Sequence, residues 1–215
     1  MQSLTKSSTL WSVPRIWPDR TVYVLGGGPS LKLVDVSRLR GQRLIAANNA
    51  FKLGAWIDVV CCMDLKWPEW NKEELSKFGG LKISSHLSHA TSDLAQLLNI
   101  RVVQSSKTHV GISEKPPLVA SNGNSGAFAI NLAVQFGAKK IVLLGFDMKT
   151  IEQKHNWHDD HIVETNQDRN PYPKFLARFP AIAADLTKLG IECVNATPGS
   201  ALTVFPIVEP ESVMP

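Results

Sequence analysis

The chain is most constrained by a rhythm of short apolar runs. Residues 21–25, 44–47, 59–62, 81–83, 101–103, 141–144 and 191–194 are such runs, and the segments between them are long enough to hold helices. Runs this short, rich in Val, Ile and Leu, read as strands buried on both faces, and alternation with helical crossovers makes neighbouring strands parallel. The expected fold class is α/β, a Rossmann-like and mostly parallel sheet with helices on both faces. Ser125 to Phe136 is apolar nearly all round and stops at Gly137, which predicts a core helix. Phe175, Phe179, Ile182, Leu186 and Leu189 recur at spacings of four and three before Gly190, which predicts a second helix with one apolar stripe, begun or kinked at Pro180.

With 215 residues, 44% hydrophobic and 20% charged, the composition is that of one ordinary globular domain. An N-terminal extension over 1–20 precedes a single domain over 21–206 and a C-terminal tail over 207–215. Residues 149–173 are polar, rich in His, Asp and Asn, and too long for a routine connection, so an inserted lid is expected there. Lys and Arg total 23 against 19 acidic residues, a formal charge of +4 with the signs interspersed. Such a balance suits a phosphate-bearing small molecule and gives no strong nucleic-acid signal. Cys61, Cys62 and Cys193 form no even-numbered disulfide framework and no C-x-x-C pair, and no run approaches the roughly 18 apolar residues of a membrane span. The expected setting is a reducing cytoplasm.

The first apolar run ends in Gly26-Gly27-Gly28-Pro29-Ser30, followed by a short helical pattern from Leu31 to Leu39. Glycine lets a ligand approach the backbone, a helix N-terminus attracts phosphate, and Pro29 suits a first helical turn. The loop is neither a P-loop, since G-x-x-x-x-G-K-[ST] fails, nor an NAD fingerprint, since Ala46-Ala47-Asn48-Asn49 stands where an acidic ribose ligand belongs. A tight strand-to-helix turn without a ligand is the alternative. In a parallel sheet, Asn48, Asn49, Asp64, Asn124, Ser125, Gly126 and Asp147 would gather with this loop on the carboxyl edge of the strands. Asn side chains there can read a base or ribose, or else form turns and cap helices, as Asn124 and Ser125 are equally placed to do.

These residues carry a resemblance. Leu25-Gly-Gly-Gly-Pro-Ser-Leu31, Asp35-Val-Ser-Arg-Leu39 and Ala47-Asn-Asn-Ala-Phe51 resemble the G-N-G-P-S-L, D-x-S-R-L and C-N-Q-F patterns of bacterial lipooligosaccharide sialyltransferases, and Asn124-Ser-Gly126 and Gly145-Phe-Asp147 continue the match. The chain is also similar to a related family of unknown function that contains archaeal hydroxymethylpterin pyrophosphokinases and phage and prophage proteins; Asn195-Ala-Thr-Pro-Gly-Ser-Ala-Leu202 with Phe205-Pro206 resembles its ending. The resemblance implies a nucleotide-binding domain with a lid, and a nucleotide sugar at the glycine loop. Gly26, Gly28, Pro29 and Ser30 would frame its phosphate and ribose, Asn49 would contact base or ribose, and Ser125 and Gly126 would line the cleft. Gly27 replaces the Asn of the sialyltransferase pattern, and the aromatic that follows G-x-D-F there is not evident at Met148-Lys149.

Half of the six histidines fall in His155-Asn-Trp-His158-Asp-Asp-His161. Imidazole titrates near neutrality, so one of them can accept a proton from an acceptor hydroxyl, with Asp159 or Asp160 orienting it. The sialyltransferase resemblance implies a lid-borne His base, with His158 the first candidate, then His161 and His155. The same stretch resembles the H-x-H-x-D-H motif of metallo-β-lactamase-type hydrolases with Asn156 in place of the first His, but no His follows His161 to complete a dinuclear site. A solvated polar loop is the bland alternative.

The resulting expectation is a transferase that takes a nucleotide or nucleotide sugar and a small-molecule or glycan acceptor. Glycosyl transfer with a His base needs no metal. Diphosphate transfer of the pterin pyrophosphokinase type would need Mg held by Asp147 or Asp64. A phage or prophage accessory protein that binds without turnover is the contrasting class. His86, His89 and Asp93 read as loop and helix-start residues, and Cys61 and Cys62 as buried strand residues. Trp56, Trp67 and Trp70 surround Asp64 and can wall a sugar or base, pack the core, or form a homo-oligomer contact.

Overall fold

A computed structural model describes residues 10–106, 108–151, 154, 156–158 and 170–215. The strands are β1 (Thr21–Leu25), β2 (Arg43–Ala47), β3 (Val59–Cys62), β4 (Leu81–Ser84), β5 (Ile100–Val102), β6 (Gln104–Ser106), β7 (Leu118–Ala120), β8 (Lys140–Leu144) and β9 (Glu192–Asn195). Seven of them form one sheet in the order β5-β4-β3-β2-β1-β8-β9, and β6 pairs with β7 in a small second sheet. Every pairing between these strands is parallel. The helices are α1 (Trp67–Trp70), α2 (Lys72–Lys77), α3 (Asp93–Leu97), α4 (Ser125–Phe136), α5 (Tyr172–Leu176) and α6 (Phe179–Lys188).

The period of two along a strand divides the core. Val22, Val24, Ile45, Val59, Cys61, Ile141 and Leu143 face α4 and the Phe179, Ile182 and Leu186 stripe of α6. Tyr23, Leu25, Leu44, Ala46, Val60, Val142 and Leu144 face Leu31, Leu39, Phe51, Trp67, Leu75 and Phe78 on the other side. The sheet is therefore the α/β arrangement that the apolar rhythm predicts, with both faces covered.

Two helical expectations change in detail. Residues 31–39 are two 3-10 turns, Pro29–Leu33 and Val36–Leu39, because Val34 is extended and the Asp35 side chain accepts a hydrogen bond from Ser37 N, a local bond that competes with helix continuation. The stripe from Phe175 onward is broken between α5 and α6 and restarts with Pro180 in the first turn of α6. α4 runs as expected, with the Asn124 side chain accepting from Ala127 N and Gly137 left-handed at its end. Residues 207–215 fold back onto the domain: Met214 is buried, and the Tyr23 hydroxyl donates to Val213 O at 2.7 Å. No helix among the described residues is long and apolar enough to cross a membrane.

Candidate functional site

From β1 the chain builds outward to β5 on one side and to β8 and β9 on the other, so the strand order reverses at β1 and β8, the switch point beside which a parallel sheet places its carboxyl-edge cleft. A cleft of about 1010 Å³ lies there, lined by Gly26, Gly27 and Gly28, by Asn48 and Asn49 after β2, by Asp64 after β3, by Asn124, Ser125 and Gly126 at the start of α4, and by His158. A smaller cavity of about 420 Å³, lined by residues 16–20 and Arg43 at the amino-terminal edge of β1 and β2, holds none of these groups.

The glycine loop is pressed against β8. Gly26 N donates to Leu144 O and Gly28 N to Gly145 O, leaving the Gly27 N–H as the loop donor without a backbone partner among the described residues. A Cβ on Gly26 would stand 2.5 Å from Gly145 O, and one on Gly28 would strike the Asp147 carboxylate. The anion-attracting geometry is therefore a close backbone approach with a single 3-10 turn behind it, rather than the N-terminus of a long helix. Pro29 begins that turn, and Ser30 is buried beneath it.

Asp147 turns inward. Its carboxylate accepts hydrogen bonds from Ser30 Oγ at 2.8 Å and Ser30 N at 3.3 Å, and it is 2% exposed. Burial raises its pKa from the ordinary carboxylate value, with the Ser30 bonds opposing that rise. The loop after β8 is braced by the closing segment of the domain, where Thr197 Oγ1 accepts from Phe146 N and Ala201 N donates to Asp147 O. This gives Asn195 to Leu202 a structural role: it holds the floor of the cleft.

On the opposite wall, Asn49 is buried and its Oδ1 accepts from Trp67 Nε1 at 2.8 Å. Its Nδ2 faces His158 Nδ1 at 3.5 Å. Asn48, with a left-handed backbone, accepts at Oδ1 from Ser125 Oγ at 3.3 Å. Asn124 caps α4 through Oδ1, and its buried Nδ2 has no partner among the described residues. The three tryptophans separate: Trp67 is core and hydrogen-bond donor, Trp70 is exposed on the cleft rim, and Trp56 packs partly buried beside the second core.

The proposed lid contributes what is described of it. Trp157 N donates to Gly27 O at 2.9 Å, and the Trp157 ring packs partly buried on the core that holds Leu31, which brings His158 over the loop. His155, His161, Asp159 and Asp160 lie outside the described residues. Sequence reasoning missed Tyr172 and Phe175, which line the cleft from α5. Pro171-Tyr172-Pro173, an aromatic between two prolines after a polar stretch, is the signal available for it. Burial pushes the Tyr172 phenol upward, and the Asp147 charge adds to the rise, so it stays a donor. Among the described residues no group of three His, Cys, Asp or Glu side chains could hold a metal ion.

No family model matches the chain, and no curated protein matches it. Among solved structures it is similar to the sialyltransferase CstII from Campylobacter jejuni in complex with the substrate analogue CMP-3FNeuAc, at 15% identity and a TM-score of 0.57, over 91% of this chain and 88% of that one. A second structure, sialyltransferase CST-II with trisaccharide acceptor and CMP, gives 17% identity and a TM-score of 0.56 over 89% of this chain and 86% of that one. The MAf glycosyltransferase from Magnetospirillum magneticum AMB-1 gives 14% identity and a TM-score of 0.63 over 98% of this chain, which spans 38% of that protein. At these identities the likeness is one of fold, which this chain shares with the sialyltransferase CstII and the MAf glycosyltransferase.

Proposed function

We propose that the chain is a glycosyltransferase-like enzyme that binds a nucleotide sugar in the carboxyl-edge cleft and transfers its sugar to a hydroxyl acceptor. The observation that carries this reading is the placing of His158 beside Asn49 and over the glycine loop, in a cleft whose volume suits a nucleotide sugar. The orphaned Asn124 Nδ2 supports it, since a buried donor in a cleft wall calls for a ligand oxygen. The fold neighbours solved with CMP, a CMP-sugar analogue and a trisaccharide acceptor supply the classes of donor and acceptor.

In this reaction the acceptor oxygen bonds to the anomeric carbon, the bond from that carbon to the phosphate oxygen breaks with its electron pair on the phosphate, and the acceptor proton passes to His158. The Gly27 N–H, in the loop, and Tyr172, which lines the same cleft, are assigned here to stabilising the departing phosphate. Among the described residues the carboxylates do not make a Mg site: Asp147 spends both carboxylate oxygens on Ser30 and is off the cleft, and Asp64 has no two further His, Cys, Asp or Glu side chains grouped with it. No step is routed through a metal.

The test is calorimetry with CMP, UDP, GDP and ATP, with and without Mg, followed by a transfer assay with the sugar donor of whichever nucleotide binds. The expected result is one nucleotide bound without Mg, product formation, and loss of turnover by a factor of about 10²–10⁴ in His158→Ala. Tyr172→Phe is expected to lower kcat with little change in nucleotide affinity. Nucleotide binding unaffected by His158→Ala, with no product from any donor, would instead describe a sensing or accessory module. Binding only with Mg, and diphosphate transfer from ATP, would replace glycosyl transfer by pyrophosphokinase chemistry.

A further inference from the structure

Trp67 is buried, and its indole N–H has nothing to do with forming the core. The ring packs edge-on against Phe51 at 5.7 Å, while Nε1 reaches 2.8 Å to Asn49 Oδ1. Indole nitrogen can only donate, so the Asn49 atom that meets it must be the carbonyl oxygen. That fixes the side-chain amide, whose orientation is otherwise free to reverse. The Asn49 NH₂ group then faces His158 Nδ1 at 3.5 Å, and an NH₂ group can only donate. His158 Nδ1 must therefore be the acceptor, and a neutral ring carries its proton on Nε2.

We infer that Trp67 is a positioning residue that selects the Nε2–H tautomer of His158 through the Asn49 amide, whose NH₂ group holds the lone pair on Nδ1. The chain of donors is directional: Trp67 gives to Asn49, and Asn49 gives to His158. It begins in the core and ends at the cleft, with Trp67 and Asn49 6% and 7% exposed. The backbone two residues before Trp67 is held in turn, since Leu65 O accepts from His89 Nε2 at 2.9 Å. An imidazole nitrogen has one in-plane lone pair, so His158 takes the acceptor's proton at Nδ1 only once the Asn49 NH₂ has let go of it; that consequence rests on the transferase reading above, and the tautomer does not.

Nitrogen NMR of the full chain labelled in histidine reads the tautomer without any substrate, with His158 assigned by the signals missing from His158→Gln. The wild type is expected to show a pyrrole-like Nε2 and a pyridine-like Nδ1 at a pH above the histidine titration. Trp67→Phe removes the indole donor together with part of the ring volume, so the Asn49 amide can reverse and offer Oδ1 to His158. The Nδ1–H form should then become a substantial share of the population. Asn49→Asp, which places an acceptor beside Nδ1 while still accepting from Trp67, should make Nδ1–H the main form. A wild-type ring protonated on Nδ1, or a pattern unchanged in Trp67→Phe and in Asn49→Asp, overturns the proposal. Turnover of Trp67→Phe separates the two readings: a switched tautomer with kcat reduced and donor KM unchanged supports both. A switched tautomer with unaltered kcat keeps tautomer control and removes His158 as the base.

Discussion

His89 sits 4% exposed with both ring nitrogens engaged, Nδ1 with Ser84 Oγ at 2.7 Å and Nε2 donating to Leu65 O. Because Nε2 donates, Nδ1 accepts from the Ser84 hydroxyl and the ring is neutral. Burial lowers its pKa from the usual histidine value of 6.5, the neighbouring His86 adds to the lowering, and the bond to Leu65 opposes it. The unfolded chain thus takes up a proton at 6.5 and the folded chain only below that, so the stability this group contributes is present above 6.5 and lost as pH falls through the folded value. Urea unfolding at about pH 7.5 and about pH 5.5 should show a larger drop for the wild type than for His89→Gln, whose amide can still donate to Leu65 O. His89→Ala should cost about 1–3 kcal/mol at neutral pH, through the carbonyl left buried and unpaired. From sequence this histidine looked like a loop residue; its role is legible only once β4 and the loop after β3 lie side by side.

At the scale of elements, the close contact between the β1 and β8 loops makes the three glycines unequal. A Cβ at Gly28 would collide with Asp147 and stand 2.7 Å from Gly145 O, while one at Gly27 would meet only Asn156 Oδ1 at 3.1 Å. Gly28→Ala should therefore lower the unfolding free energy by about 1–3 kcal/mol and abolish nucleotide binding, because the Ser30 to Asp147 clamp must open. Gly27→Ala should leave the melting temperature nearly unchanged and act on ligand affinity and on the seating of Asn156 to His158. The sheet strands were legible because burial on both faces writes uninterrupted Val, Ile and Leu runs. β6, Gln104–Ser106, was not, since a three-residue polar strand carries no apolar signal. Nor was the inward turn of Asp147, because an acid at a strand end has the same sequence appearance whether it faces a ligand or a buried serine. The carboxyl-edge grouping of Gly26 to Gly28, Asn48, Asn49 and Ser125 followed from topology alone, whereas Tyr172, flanked by two prolines, reaches the cleft only through the packing of α5.

For the molecule as a whole, the cleft and the second core respond to different perturbations. Met214, 8% exposed, packs in the core layer with Tyr23 and Leu144, away from the cleft. Met214→Ala should cost about 2–5 kcal/mol in urea or thermal unfolding while leaving nucleotide affinity measured by calorimetry at its wild-type value. A nucleotide that occupies the cleft should raise stability by about 2.7 kcal/mol at a hundredfold excess over its Kd, read as a concentration-dependent melting temperature. The parallel pairing that sets the cleft has a further implication for synthesis. Thr21 pairs with Lys140 and Leu25 with Leu144, so the glycine loop is translated early yet acquires its opposing wall only after β8 has left the ribosome. A nascent chain that has extruded β1 to β5 carries β1 as an unpaired edge strand with only one wall of the cleft, so completion of the pocket waits for β8.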